Sequence, residues 1–253
     1  NKSKQRKKAK QIRSYEYEFS EDSVSSFGGL SLTEYLANRL GLWKSLQDQV
    51  PDRQGKYERI DIIRGAVGGL LSGSRGTASL SEIAEDEALL KLLRIKELPG
   101  EKIFWEELER LGADKVLEAL NEGLSQWARK LLQRCNEDEW LNAHGFIPVF
   151  GDGSLLEGSG RREGTKSIPG KGTGLMWSNW FVGPVMATQH LSAEAEGEQK
   201  GLMDKLDLLL KEVIEPLQWR SKSLFLMDSL HGDGPTLDRL EAENLYYVIG
   251  ANK

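Results

Sequence analysis

The chain has 253 residues and a formal net charge of −5, a length that supports one or two domains with a substantial core. Its single cysteine excludes an internal disulfide and a cysteine-based zinc cluster. No apolar run is long enough for a membrane-spanning helix, so we expect no membrane partner and a reducing, cytoplasmic environment.

The N-terminal segment is strongly basic although the whole chain is acidic. Its first 13 residues, NKSKQRKKAKQIR, contain seven lysines or arginines and no acidic residue. High charge with little apolar content predicts a segment that is disordered alone. We assign residues 1–22 to a basic arm. Such cations suit contacts with DNA phosphates, and the candidates are Lys4, Arg6, Lys7, Lys8 and Lys10.

Residues 23–144 have the apolar periodicity of an all-helical domain. The segment SLTEYLANRLGLWKSL begins with Ser or Thr cap candidates and places Leu32, Leu36, Leu40 and Trp43 on one face of a single helix. Further helices are predicted for IDIIRGAVGGLLSG, SLSEIAEDEALLKLLRI, EKIFWEELERLG and DKVLEALNEGLSQWARKLLQRCNEDEW. Cys135, on the last of these, is predicted to be a buried or half-buried structural residue.

The pattern changes near Gly145, where short apolar runs begin to dominate. They predict strands at about 146–151, 175–182, 185–191, 223–228 and 245–250, with helices in GEQKGLMDKLDLLLKEVIEPL and GPTLDRLEAEN. The order β-β-β-α-β-α-β favours an α/β domain over residues 145–253.

A polar, glycine-rich stretch, GSGRREGTKSIPGKGTG, separates the first two predicted strands. It lacks the spacing of a phosphate-binding P-loop. Its cations, Arg161, Arg162, Lys166 and Lys171, are suited to contacts with a phosphate backbone. A flexible basic loop without a ligand explains the same residues equally well.

Two of the predicted strands end in an aspartate: IPVFGD ends at Asp152 and SLFLMD ends at Asp228. Polar residues at the carboxyl ends of strands lie where ligands bind in α/β sheets. Two neighbouring carboxylates repel each other unless a cation lies between them, and Mg²⁺ prefers such oxygen ligands. Each aspartate also has a structural alternative, because Asp152-Gly153 is a turn dipeptide and Asp228 suits a helix cap.

Three stretches resemble the DDE transposases of bacterial insertion sequences. They are VFGDGSLLEGSG, LFLMDSLHGDGPTLDRLEAENLYYVIGANK and the helical lead that starts at IIRGAVGGLLSG, and the resemblance spans residues 25–253. It implies an RNase H-like mixed sheet in residues 145–253, preceded by a helical, DNA-binding domain in residues 23–144. It also implies that Asp152 and Asp228 are the first two catalytic aspartates and bind two Mg²⁺ or Mn²⁺ ions.

The function that the resemblance implies is DNA transposition. Metal-dependent strand cleavage and strand transfer would act on double-stranded DNA, at the transposon ends and the target, with a homodimer in the synaptic complex. The setting would be the bacterial cytoplasm, at the nucleoid. Two alternatives stay open: a truncated, non-catalytic DNA-binding regulator of transposition, and an RNase H-like nuclease that only hydrolyses.

A third acidic residue completes the pattern in the family that the chain resembles. It is a Glu on a helix after the last strand, so we expect a continuation past Lys253 and weak metal binding or poor folding without it. Glu157 and Asp233 are the acids that would otherwise have to serve. His231 and Asp233 are further candidates for metal or substrate contacts, with a turn as the alternative, and Trp177 and Trp180 are predicted core residues.

Overall fold

The computed structural model describes residues 27–51, 53–74, 80–113, 116–135, 138, 141, 144–157, 165–168, 172–192 and 198–250. Helices occupy the region before the first strand, as predicted: α1 (Leu30–Leu40), α2 (Leu42–Gln49), α3 (Arg59–Leu71), α4 (Leu80–Ala84), α5 (Glu87–Leu93), α6 (Glu101–Ala113) and α7 (Val116–Leu132). No helix in these described ranges is long and apolar enough to cross a membrane.

Two segments predicted as single helices are each broken in two. Gly41 has φ 70°, which ends α1 and starts α2, and glycine adopts this left-handed conformation at little cost. Asp86 caps α5, because its side chain accepts a hydrogen bond from the backbone N–H of Leu89 at 2.9 Å. The apolar pattern continues through both breaks, so periodicity alone predicted continuous helices.

Six strands form one mixed sheet in the order β2-β3-β1-β5-β6, with β4 also pairing with β3. The pairs β1–β3 and β3–β4 are antiparallel, whereas β1–β5 and β5–β6 are parallel. The strands are β1 (Ile147–Glu157), β2 (Lys166–Ile168), β3 (Gly172–Val182), β4 (Val185–Ser192), β5 (Ser223–Met227) and β6 (Tyr246–Ile249). This confirms the predicted α/β class, an RNase H-like mixed sheet preceded by helices.

The first strand is longer than predicted, and the interpretation of Asp152 as its last residue is wrong. Strand β1 continues to Glu157 because it pairs with β3 from Val149 opposite Val182 to Glu157 opposite Gly174. These backbone hydrogen bonds outweigh the low strand propensity of Gly-Asp-Gly-Ser. The glycines beside Asp152 therefore lie inside a strand and do not form a sharp turn. The short strand β2 was not predicted either.

Helices cover one face of the sheet. They are α7, α8 (Glu198–Leu209) and the π-helical turn Leu210–Ile214 that continues α8. The core between these helices and the strands includes the fully buried residues Ala128, Ile147, Val149, Trp180, Val182, Leu206, Leu209, Val213 and Phe225. The last helix, α9 (Gly234–Ala242), connects β5 to β6 and adds Leu240 to the same core.

Helix α7 joins the helical region to the edge strand β4. The side-chain amide of Asn121 donates to the Gln189 carbonyl at 2.8 Å and accepts from the Gln189 N–H at 3.0 Å. Ser125 Oγ donates to the Ala187 carbonyl at 2.8 Å. These side chains satisfy edge groups that would otherwise be open to another strand.

Candidate functional site

The structure brings Asp152 and Asp228 together. The parallel pairing of β1 with β5 ends at Gly151 opposite Met227, and each aspartate is the next residue of its chain. Neighbouring strands in a sheet are about 4.8 Å apart, so the two carboxylates lie side by side. Both aspartates are exposed, and the side chain of Asp228 is 51% accessible.

Both carboxylates lie on the side of the sheet opposite the core. Because side chains alternate along a strand, Ile147, Val149 and Gly151 are buried while Phe150 and Asp152 are exposed. We call this side the open face and define it by Phe150, Asp152, Asn179, Phe181, Leu226, Asp228, Tyr246 and Val248. A groove of about 520 Å³ runs over it, lined by Phe150, Gly151, Asp152, Phe181, Gly183, Leu226, Met227 and Asp228.

The glycine before Asp152 is required by the core. A Cβ atom at Gly151 would lie 2.7 Å from Cζ3 of Trp180, closer than atoms in contact can be. Trp180 cannot move away easily, because it is fully buried, donates from Nε1 to the Leu202 carbonyl at 2.8 Å and packs edge-to-face on Phe225. The packed indole thus fixes the backbone that presents Asp152. Its burial also confirms the predicted core position of Trp180.

The segment after Asp228 is a tight turn. A 3₁₀ turn spans Ser229–His231, and the backbone N–H of His231 donates to the Asp228 carbonyl at 3.2 Å. The His231 side chain is fully buried, with Nε2 3.7 Å from Asp228 Oδ1. Asp233 caps α9 by accepting from the Thr236 N–H at 3.1 Å. The backbone of this segment therefore forms a turn, and Asp233 caps a helix; contact of His231 or Asp233 with metal or substrate stays a prediction.

Sequence reasoning missed one polar residue beside the pair. Asn179 on β3 is the cross-strand partner of Asp152. It is only 5% exposed, and its Oδ1 has no hydrogen-bond partner within the part of the chain that the structure describes. The available signal was a lone amide in the apolar run MWSNWF. Its position opposite Asp152 depends on the strand register, which the sequence does not display.

Glu157 does not join the aspartates. It lies five residues beyond Asp152 on the same strand, which is roughly 17 Å along the strand and on the other face. Throughout the described ranges, no group of three or more His, Cys, Asp or Glu side chains is placed to hold a metal ion. The third acidic residue implied by the resemblance therefore stays a prediction.

Most of the predicted DNA contacts lie outside the described residues. This applies to Lys4, Arg6, Lys7, Lys8, Lys10, Arg161, Arg162 and Lys171. Lys166 lies in β2, opposite Gly174. DNA contact by these cations remains a prediction.

Trp177 lies on the same side of the sheet as Asp152 and is half-buried, and its Nε1 donates to Gln189 Oε1 at 3.1 Å.

The donors at the site suit a hard divalent cation. Two adjacent carboxylates, and one buried amide oxygen that has no partner among the described residues, are the oxygen ligands that Mg²⁺ and Mn²⁺ accept. Mg²⁺ is usually held by only one or two carboxylates and keeps other positions for water and phosphate. The residues present therefore fit the ions that the sequence predicts, with room on the open face for a phosphate group.

Comparison with known proteins finds similarity only among solved structures; no family model and no curated protein matches this chain. A synaptic complex of piggyBac transposase with hairpin DNA is similar with a TM-score of 0.40 and 14% identity, over 87% of this chain and 49% of that chain. A pre-cleavage Mos1 transpososome is similar with a TM-score of 0.30 and 17% identity, over 79% of this chain and 62% of that chain.

A Mos1 mariner paired end complex with Mn is similar with a TM-score of 0.30 and 12% identity, over 88% of this chain and 78% of that chain. The chain spans about half the length of the piggyBac transposase chain. All of these neighbours are transposase assemblies.

Proposed function

We propose that this chain acts as a DDE-type transposase of the bacterial insertion-sequence type, cutting and joining double-stranded DNA. The observation that carries the proposal is the position of Asp152 and Asp228, side by side where the parallel pairing of β1 and β5 ends. In this proposal the pair binds two Mg²⁺ or Mn²⁺ ions. When bound, the two ions stabilise the attacking and the leaving oxygen of a phosphodiester.

The exposure of the pair supports a large substrate. Asp152 and Asp228 lie at an open groove rather than in an enclosed cavity. A duplex can approach such a surface with its phosphate backbone, whereas a small metabolite is usually bound with most of its surface buried. Asp152 and Asp228 would hold the ions, and the ions would supply the charge that binds and orients the reacting phosphate. No nucleophilic side chain of this chain is needed, because water or a DNA 3′-hydroxyl attacks.

The covered face holds the pair in position. Asp152 follows Gly151, whose backbone is packed on the buried indole of Trp180. Asp228 follows Met227, which is 7% exposed and belongs to the same core. Catalytic groups need positions fixed to within about 0.5 Å. Strands whose other face is packed against helices supply that rigidity.

The proposal is tested by measuring cleavage and joining of labelled DNA that carries the transposon ends. Asp152→Asn and Asp228→Asn should each abolish cleavage and leave duplex binding intact. Asp238→Asn is the matched control, because Asp238 is an exposed acid on α9 and should keep full activity. Near-normal cleavage by both site variants would refute the assignment. Cleavage without joining would indicate an RNase H-like nuclease, and binding without cleavage by the unaltered protein would indicate a regulator.

DNA binding by the basic arm is a separate part of the proposal. Each neutralised phosphate contributes about −0.9 to the slope of log K against log salt on duplex DNA. Replacing Lys4, Arg6, Lys7, Lys8 and Lys10 by Gln should therefore flatten that slope by several units. An unchanged slope would show that these cations do not contact phosphates. Binding as a homodimer to paired ends belongs to the same proposal.

A further inference from the structure

We propose that Asn179 supplies a third oxygen ligand to a divalent ion held by Asp152 and Asp228. The inference rests on the proposed function, because it assigns a ligand to the same site. It starts from a buried amide oxygen: Asn179 is 5% exposed, and its Oδ1 has no hydrogen-bond partner among the described residues. Buried polar atoms in native structures nearly always have a partner, so an exception calls for a specific cause.

The strand register places this oxygen beside the first carboxylate. Asn179 and Asp152 are directly opposite each other on antiparallel strands, where Cβ atoms are about 4.5–5.5 Å apart and the side chains share a face. Neighbouring oxygens around Mg²⁺, each at about 2.1 Å from the ion, are roughly 3 Å from each other. Two side chains at this cross-strand separation are therefore able to bind one ion together.

Two N–H donors of neighbouring residues in the sheet are engaged elsewhere. Trp177, two residues earlier on the same side of β3, donates from Nε1 to Gln189 Oε1 at 3.1 Å. Gln189 is the partner of Asn179 on β4, and its N–H donates to Asn121 Oδ1 at 3.0 Å. Neither of these N–H groups donates to Asn179 Oδ1, and a cation at the aspartate pair would give that oxygen a partner.

An amide ligand differs from a carboxylate ligand in carrying no charge. Asn179 adds a neutral oxygen to two negative carboxylates, so it raises the number of ligands without adding to the repulsion within the pair. A ligand set of two carboxylates and one amide leaves the remaining positions of an octahedral shell for water and phosphate oxygens. Asn179 would therefore fix the position of that ion relative to Asp152, its cross-strand partner.

Mn²⁺ titration calorimetry, together with thermal unfolding with and without Mn²⁺, tests the inference without any activity assay. Asn179→Leu should weaken Mn²⁺ binding by about tenfold or more, since even the loss of a group behind a ligand costs that much. The same variant should unfold at an equal or higher temperature than the unaltered protein when metal is absent, because it removes a buried oxygen without a partner. Asn179→Asp should keep or increase the affinity.

Two controls separate the possible failures. Ser154→Ala changes an exposed residue on the same side of β1 as Asp152 and should alter neither the Mn²⁺ affinity nor the unfolding temperature. Asp152→Asn should abolish Mn²⁺ binding. Unchanged Mn²⁺ affinity in Asn179→Leu, with loss in Asp152→Asn, would overturn the role of Asn179 and leave the proposed function standing. A lower unfolding temperature of metal-free Asn179→Leu would also overturn it, in favour of a structural amide. Equal Mn²⁺ affinity of Asp152→Asn and the unaltered protein would refute the metal site, and the proposed function with it.

Discussion

On the helix-covered face of the sheet, Ile147, Val149 and Phe225 are fully buried with residues of α7 and α8, whereas on the open face Phe150 is 41% and Val248 is 56% exposed. The same strands supply both sets of side chains. Along β1 the change from one face to the other takes a single residue, from buried Gly151 to exposed Asp152.

This difference separates the residues that hold the fold from those that we propose to contact a ligand. A carboxylate in the core would be costly to bury, but one residue further along the strand it meets solvent and any approaching phosphate. The packed face fixes the backbone, and the open face carries the exposed Asp152 and Asp228 with the buried Asn179 beside Asp152. Substitutions on the two faces should therefore affect different properties.

The largest difference is expected between two phenylalanines. Phe225→Ala should destabilise the protein by about 3–5 kcal/mol, because it leaves a cavity beside Trp180 in the core. Phe150→Ala removes a side chain that is already 41% exposed and should cost about 1–2 kcal/mol. Urea unfolding of the two variants measures both values. Equal losses would mean that the open face is covered as well.

A smaller effect is expected at the glycine between the two faces. Gly151→Ala would place Cβ 2.7 Å from the Trp180 ring and should cost about 1–3 kcal/mol through overpacking. Gly234→Ala is the matched control, because its added Cβ meets no described residue within 4 Å apart from its chain neighbours and its own helix backbone. Thermal unfolding of the pair gives the comparison. If Gly151→Ala were as stable as the control, the indole would not constrain the backbone of Asp152.

The smallest effect on stability is expected at the site itself. In the presence of a chelator, Asp152→Asn and Asp228→Asn should each change the free energy of unfolding by about 0.5 kcal/mol or less, as exposed substitutions usually do. Val149→Thr, which adds a hydroxyl to the covered face of the same strand, should cost about 1–3 kcal/mol. Chemical unfolding in metal-free buffer checks the ranking. A large loss from either aspartate would assign it a structural role.

The sequence was sufficient for much of the sheet because local patterns define it. Apolar runs bounded by glycine or polar residues predicted five strands in the correct order, and the position of Asp228 directly after β5 followed from SLFLMD. The length of β1 did not follow, because its second half is held by pairing with β3 rather than by its own propensity.

The surroundings of the aspartates required the three-dimensional structure. The place of Asn179 opposite Asp152, and of Trp180 beneath Gly151, depends on the register between strands that are about 28 residues apart in the chain. The break at Gly41 was likewise hidden, because the apolar stripe continues on both sides of it. Local pattern thus predicted which residues are chemically important, while long-range pairing determined their neighbours.

The most direct test of the metal site is the anomalous scattering of Mn²⁺ in crystals of this protein. We predict a peak between Asp152 and Asp228 on the open face, with carboxylate oxygens of both residues at about 2.1 Å from the ion. The peak should vanish in crystals of Asp152→Asn. Mn²⁺ bound elsewhere, or a peak that contacts neither aspartate, would contradict the account.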